Sequence, residues 1–145
     1  MKENIYKEED LARLASEVLS LLSKKIKKDK ATVLFLEGDL GAGKTTFTKF
    51  LAKELGIKEN ITSPTFTIMH KYKTRHSDWD NLFHIDAYRL GGKEELGVLN
   101  LEDDLKNRKN IFVFEWPSNI GGIIEPDLKI GFSHIQKDEQ RKVSF

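Results

Sequence analysis

The chain has 145 residues, 39% of them hydrophobic and 32% charged, with only three prolines, which suits one buried core and speaks against wholesale disorder. It has no cysteine, so disulfides and zinc–thiolate sites are excluded, in keeping with a reducing, cytoplasmic setting. A formal net charge of +1 gives no overall electrostatic drive toward nucleic acid, and no apolar run approaches the ~20 residues that span a bilayer.

The opening stretch Met1 to Asp10 is too acidic and polar for a signal peptide. Leu11, Leu14, Ala15, Val18, Leu21, Leu22 and Ile26 then recur at steps of three and four, which predicts one apolar face of a helix, with acids at its start and lysines at its end. The lysines are Lys24, Lys25, Lys27, Lys28 and Lys30. They could contact RNA phosphates, but no aromatic residues are interleaved for base stacking, and a solvated helix end is the simpler reading. Ala31 to Leu36 is a nearly continuous apolar run, the pattern of a central parallel strand buried on both faces. Beyond a glycine-rich loop, Phe47, Phe50, Leu51 and Leu55 mark a helix from Thr45 to Leu55, stopped by Gly56.

Phe66, Ile68, His70 and Tyr72 alternate with Thr67, Met69 and Lys71, which predicts a half-exposed strand, and the polar stretch Thr74 to Asn81 reads as loop. Leu82 to Asp86 is a short strand ending in an acid, Glu94 to Leu105 reads as short helices, and Ile111 to Phe114 is a second buried strand closed by Glu115. Leu128, Ile130 and Phe132 alternate and can pair with Val143 and Phe145 across a turn at Gln136 to Gln140. No repeat or linker interrupts the series. The expectation is one domain over residues 1–145, an α/β three-layer sandwich with a mixed sheet parallel at its centre and antiparallel at its C-terminal edge; the pattern G-x-x-x-x-G-K-[ST] at Gly38 to Thr45, between a strand and a helix, makes it one of the P-loop NTPase kind.

The loop Gly38-Asp39-Leu40-Gly41-Ala42-Gly43-Lys44-Thr45 matches G-x-x-x-x-G-K-[ST]. Its glycines let backbone N–H groups approach phosphate oxygens, and the following helix adds its positive N-terminal end. Gly41, Ala42, Gly43, Lys44, Thr45 and Thr46 are the predicted nucleotide cradle; Lys44 would reach the β- and γ-phosphates and the Thr45 hydroxyl would ligate magnesium. Ligands in open α/β sheets collect at the carboxyl ends of parallel strands, where Asp86 and Glu115 both fall. Glu115 is the candidate Walker B acid, holding magnesium directly or through water, and Asp86 a second metal-side acid that can orient the attacking water.

His84, two residues before Asp86, should share its strand face; a structural role is the plainer reading, with catalysis the alternative. Arg89 could reach a γ-phosphate, although pairing with a neighbouring acid is simpler. Ser63-Pro64-Thr65 suits either a switch threonine sensing the γ-phosphate or the entry to a strand, Pro64 disfavouring helix at Ser63. Trp116 either contacts the nucleotide or packs at the strand end. No Asn-Lys-x-Asp sequence is present to read guanine, which favours adenine, and the scattered Arg75, Arg89 and Arg108 do not make the arginine-rich lid of a small-molecule kinase.

The ordered set Gly38 to Phe47, Thr62-Ser63-Pro64-Thr65-Phe66, His84-Ile85-Asp86-Ala87-Tyr88-Arg89-Leu90, Glu94-Glu95-Leu96 and Phe114-Glu115-Trp116-Pro117 resembles the bacterial TsaE family, formerly called YjeE, over about Leu11 to Ile130. The resemblance implies a cytoplasmic ATPase, using ATP and Mg2+, that is needed to make threonylcarbamoyladenosine in tRNA. It also implies binding to a TsaB–TsaD heterodimer, contact with tRNA only through that complex, and slow hydrolysis that the partners stimulate and that resets the complex. The family's metal and catalytic roles fall on Thr45, Asp86 and Glu115, and its nucleotide-responsive tryptophan on Trp116. Two departures stand out. Asp138-Glu139-Gln140-Arg141 stands where many members carry Gly-Arg before the last strand, so that arginine's role in ATP binding does not carry over directly and Arg141 is the candidate for a shifted substitute; the chain ends at Phe145 without the longer extension of some members.

The mechanism this predicts places ATP–magnesium on Gly41 to Thr46, with Thr45 and Glu115 on the metal and Asp86 on the attacking water. Thr65 responds to loss of the γ-phosphate. A small-molecule kinase and a non-catalytic ATP-dependent sensor are the rival readings, and a lysine-driven RNA-binding module is a third.

Overall fold

The computed structural model describes residues 3–38, 43–61, 68–87, 97–117, 120, 122–134 and 140–144. In chain order these form β1 (Glu3–Lys7), a 3-10 turn (Glu8–Asp10), α1 (Leu11–Ser23), β2 (Thr32–Gly38), α2 (Lys44–Glu54), β3 (Met69–Lys73), β4 (Asn81–Asp86), a one-turn helix α3 (Glu102–Leu105), β5 (Asn110–Glu115), β6 (Leu128–His134) and β7 (Gln140–Ser144). The sheet has seven strands in the order β1-β7-β6-β2-β5-β4-β3. Its centre, β6-β2-β5-β4, is parallel. β3 closes one edge antiparallel to β4, and β7 and β1 extend the other as antiparallel neighbours.

The apolar runs of β2 and β5 reflect burial on both faces. Leu34, Leu36, Ile111 and Val113 point to one side, where they meet Leu14, Val18 and Leu22 of α1 and Phe47 and Leu51 of α2. Val33, Phe35, Phe112 and Phe114 point to the other, where Phe83, Ile85, Leu101, Ile120 and Ile124 complete a second core. There Phe83 stacks on Phe112 with ring centroids 4.4 Å apart and planes 5° from parallel. The first layer is therefore built of two full helices. The second, among the described residues, is built of α3 and irregular backbone. Each fully buried Leu or Phe contributes about 1.5–3 kcal/mol by leaving water.

Within the described residues the predicted elements appear with shifted ends and one addition; Phe66, Thr67, Glu94, Glu95, Leu96, residues 136–139 of the expected turn and Phe145 lie outside them. β1 pairs with β7 from Glu3↔Ser144 to Lys7↔Gln140, although its polar sequence gave no strand signal. α1 stops at Ser23, so Ile26 packs from beyond the helix and the lysine run occupies a turn with a bridge between Lys27 and Lys30. The stretch from Thr74 to Asp80 is loop, as its polarity predicts, yet Trp79 within it is fully buried and donates its indole N–H to Thr32 Oγ1 at 2.9 Å. Among the described residues no helix is long and apolar enough to cross a membrane.

Candidate functional site

Three strands deliver the site to one edge of the sheet. In the parallel register Leu36 of β2 lies beside Glu115 of β5, and Glu115 beside Asp86 of β4. Side chains two apart share a face, so Leu82, His84 and Asp86 of β4, and Ile111, Val113 and Glu115 of β5, all project toward the α1/α2 layer. The apolar members sit in the core and the acids close the strands at their carboxyl ends.

β2 ends at Gly38, whose φ of 140° few L side chains adopt. A Cβ there would stand 2.2 Å from the Phe132 carbonyl oxygen on β6. The first glycine of the motif is thus required by close approach to the neighbouring strand. Gly43, at φ 104°, is the N-cap of α2 and brings no side-chain cap, so the positive end of the helix opens on the glycine-rich loop.

Lys44, the first residue of α2, is 5% exposed. Its ammonium donates to the Gly38 carbonyl at 2.5 Å and lies 3.6 Å from the centroid of the Trp116 ring. Trp116 holds this place by an unusual backbone: φ is 58°, a strained value for a bulky residue, and its N–H donates to Leu36 O at 3.2 Å. Thr45 Oγ1 donates to Glu115 Oε1 at 3.3 Å, a long hydrogen bond. The other carboxylate oxygen, Glu115 Oε2, is in close contact with His84 Nε2. Glu115 is 4% exposed and His84 fully buried, whereas Asp86 is half-buried.

The structure thus brings Gly43, Lys44, Thr45, Thr46, Asp86, Glu115 and Trp116 to the start of α2 and the adjoining strand ends. Gly41, Ala42, Thr65 with Ser63 and Pro64, and Arg89 lie outside the described residues, as does the side chain of Arg141. Among the described residues no group of three or more His, Asp or Glu side chains is arranged to hold a metal unaided. The Thr45 hydroxyl and the Glu115 carboxylate are in contact, and Asp86 stands beside Glu115 on the neighbouring strand, so hard oxygen groups gather at this edge. Sequence reasoning missed the His84–Glu115 contact. The signal available was the i, i+2 spacing of His84 and Asp86; the β4–β5 register that sets His84 against Val113, and so diagonally to Glu115, has no local signature.

Residues 5–143 match the protein family described as "Threonylcarbamoyl adenosine biosynthesis protein TsaE". The chain belongs to the TsaE family. Similar members, both described as tRNA threonylcarbamoyladenosine biosynthesis protein TsaE, include one from Haemophilus influenzae, 33% identical over 120 residues, spanning 82% of this chain and 72% of the relative. Another, from Treponema pallidum, is 33% identical over 137 residues, spanning 94% of this chain and 93% of the relative. For other TsaE relatives the matched stretch is under two thirds of their length, 65% in one and 49% in another. The crystal structure of Bacillus subtilis YdiB is similar over 98% of this chain and 83% of that one, with a TM-score of 0.66 and 27% identity. Membership in the TsaE family connects the chain to threonylcarbamoyladenosine biosynthesis in tRNA.

Proposed function

We propose that this TsaE family member is a single-domain, cytoplasmic ATPase that binds ATP with Mg2+ at the start of α2 and acts on a TsaB–TsaD heterodimer, resetting that complex between rounds of tRNA modification. The observation that carries the reading is the convergence of Lys44, Thr45, Asp86 and Glu115 from α2, β4 and β5 on one edge of the sheet. The N-terminal turn of α2 and Lys44 would take the phosphates, with Gly41 and Ala42 completing the loop. The donor chemistry fits magnesium. A hydroxyl carries one proton and two lone pairs, so Thr45 can keep its proton on Glu115 and offer oxygen to the metal. Glu115 and Asp86 supply the carboxylates, directly or through water. Magnesium, when bound, would neutralise charge on the phosphates.

In this reading Asp86 positions the attacking water, Trp116 touches the nucleotide, and Thr65 responds to loss of the γ-phosphate. The changed surface then alters affinity for the partner pair, and tRNA is reached only through that complex.

Reconstituted tRNA modification with ATP turnover measured in parallel tests the proposal. Turnover should be slow alone and rise when TsaB–TsaD is added. Asp86→Ala and Glu115→Ala should abolish the stimulated turnover while leaving some nucleotide binding. Rapid turnover that ignores the partners would overturn the partner-dependent part. Full tRNA modification by a hydrolysis-dead variant would favour a sensor instead.

A further inference from the structure

His84 is fully buried on β4, with Val113 of β5 and His70 of β3 as its register neighbours. Its Nε2 meets Glu115 Oε2, and its Nδ1 is buried with no hydrogen-bond partner among the described residues. Leaving a buried polar atom unpaired costs about 1–3 kcal/mol. The apolar Leu82 occupies the preceding position of the same face, so a leucine at 84 would suit the core and avoid that cost. An unpaired Nδ1 also selects a tautomer: with the proton on Nε2, the ring donates to Glu115 and leaves only a lone pair unsatisfied.

We infer that His84 is a positioning residue for Glu115, holding one carboxylate oxygen so that the other stays turned toward Thr45 and the metal. The inference rests on the reading of this site as a magnesium–nucleotide site. Rotation of a glutamate carboxylate about its last torsion is soft and broadly two-fold. Here the two oxygens have different partners, Thr45 on Oε1 and His84 on Oε2. Because Thr45 makes a long contact of 3.3 Å, His84 supplies the firmer restraint. Without it the carboxylate is free to turn, and the hydroxyl–carboxylate pair that faces the metal loses its fixed geometry. Partners that orient metal-side ligands in this way typically change metal affinity or activity by roughly 10- to 100-fold when removed.

The test compares two carboxamides of different reach. In His84→Gln the side-chain nitrogen extends to about the place of Nε2; in His84→Asn it stops near Nδ1 and falls short of Glu115. The readout is the ratio of ATP dissociation constants in excess EDTA and in excess Mg2+, obtained by calorimetry on variants whose circular dichroism matches the wild type. His84→Asn should shrink that ratio about 10-fold or more with little change in metal-free ATP affinity, and His84→Gln should keep it within about 3-fold of wild type. In a Glu115→Gln background His84→Asn should add no further loss. A merely structural histidine would weaken ATP binding equally with and without magnesium, or lose the same amount with either carboxamide; each result overturns the inference. A wild-type protein whose ATP affinity ignores magnesium removes the underlying site reading instead, and the inference with it.

Discussion

Gly38→Ala isolates what the first glycine of the phosphate loop is for. The added Cβ meets the Phe132 carbonyl oxygen at 2.2 Å and its carbonyl carbon at 3.1 Å, both backbone atoms that cannot swing aside. Ordinary contact begins near 3.4 Å, so the two strands must part by roughly 1.2 Å where their register ends at Gly38↔Phe132. The backbone also sits at φ 140°, where an L side chain is strained by about 1–3 kcal/mol. Adding about 1 kcal/mol for a weakened ladder hydrogen bond gives a loss of roughly 2–4 kcal/mol. For a chain of this size that lowers the melting temperature by roughly 6–15 °C. The carbonyl of Gly38 itself accepts from the Lys44 ammonium and would shift as the strands part, so ATP affinity should fall in the same variant. Thermal melts by circular dichroism without nucleotide, with ATP titrations alongside, separate the two effects. A melting temperature within about 2 °C of wild type would refute the packing argument, and with ATP binding lost it would assign Gly38 to phosphate contact alone.

Two further predictions follow from the tryptophans. The Lys44 ammonium lies over the Trp116 ring at 3.6 Å, so phosphates that draw the lysine away should change Trp116 emission; the ATP-induced change should survive Trp79→Phe and vanish in Trp116→Phe. Thr32→Val removes the acceptor of the buried Trp79 indole N–H and should cost about 1–3 kcal/mol in urea unfolding, with ATP affinity unchanged because Thr32 stands at the opposite end of β2 from Gly38. An unchanged unfolding midpoint would mean that the indole finds another acceptor.

Where side-chain period and glycine chemistry act locally, the sequence was a sufficient guide. The apolar runs of β2 and β5 and the three- and four-residue steps of α1 led directly to the parallel centre of the sheet and its helical layer. The strand-closing positions of Asp86 and Glu115 placed both acids at the carboxyl edge. What stayed hidden depends on partners distant in the chain. β1 is polar and owes its extended form to the ladder with β7, far away in sequence. Trp79 lies in a polar stretch and is buried through Thr32, 47 residues earlier. Gly38 reads as a loop glycine until β6 is beside it. His84 looks like an ordinary strand residue until the β4–β5 pairing brings it diagonally to Glu115, 31 residues on. Propensity and spacing report on neighbours along the chain, and each of these features is fixed across the sheet.

The central claim, that the edge formed by α2, β4 and β5 receives ATP with magnesium, is tested most directly by calorimetric titration of ATP into the wild-type chain and Lys44→Ala, each with Mg2+ and with EDTA. The account predicts a saturable heat for the wild type that is larger in affinity with Mg2+, and loss of that binding in Lys44→Ala. No heat from ATP and Mg2+ at millimolar concentration, or binding indifferent to Lys44, would contradict it.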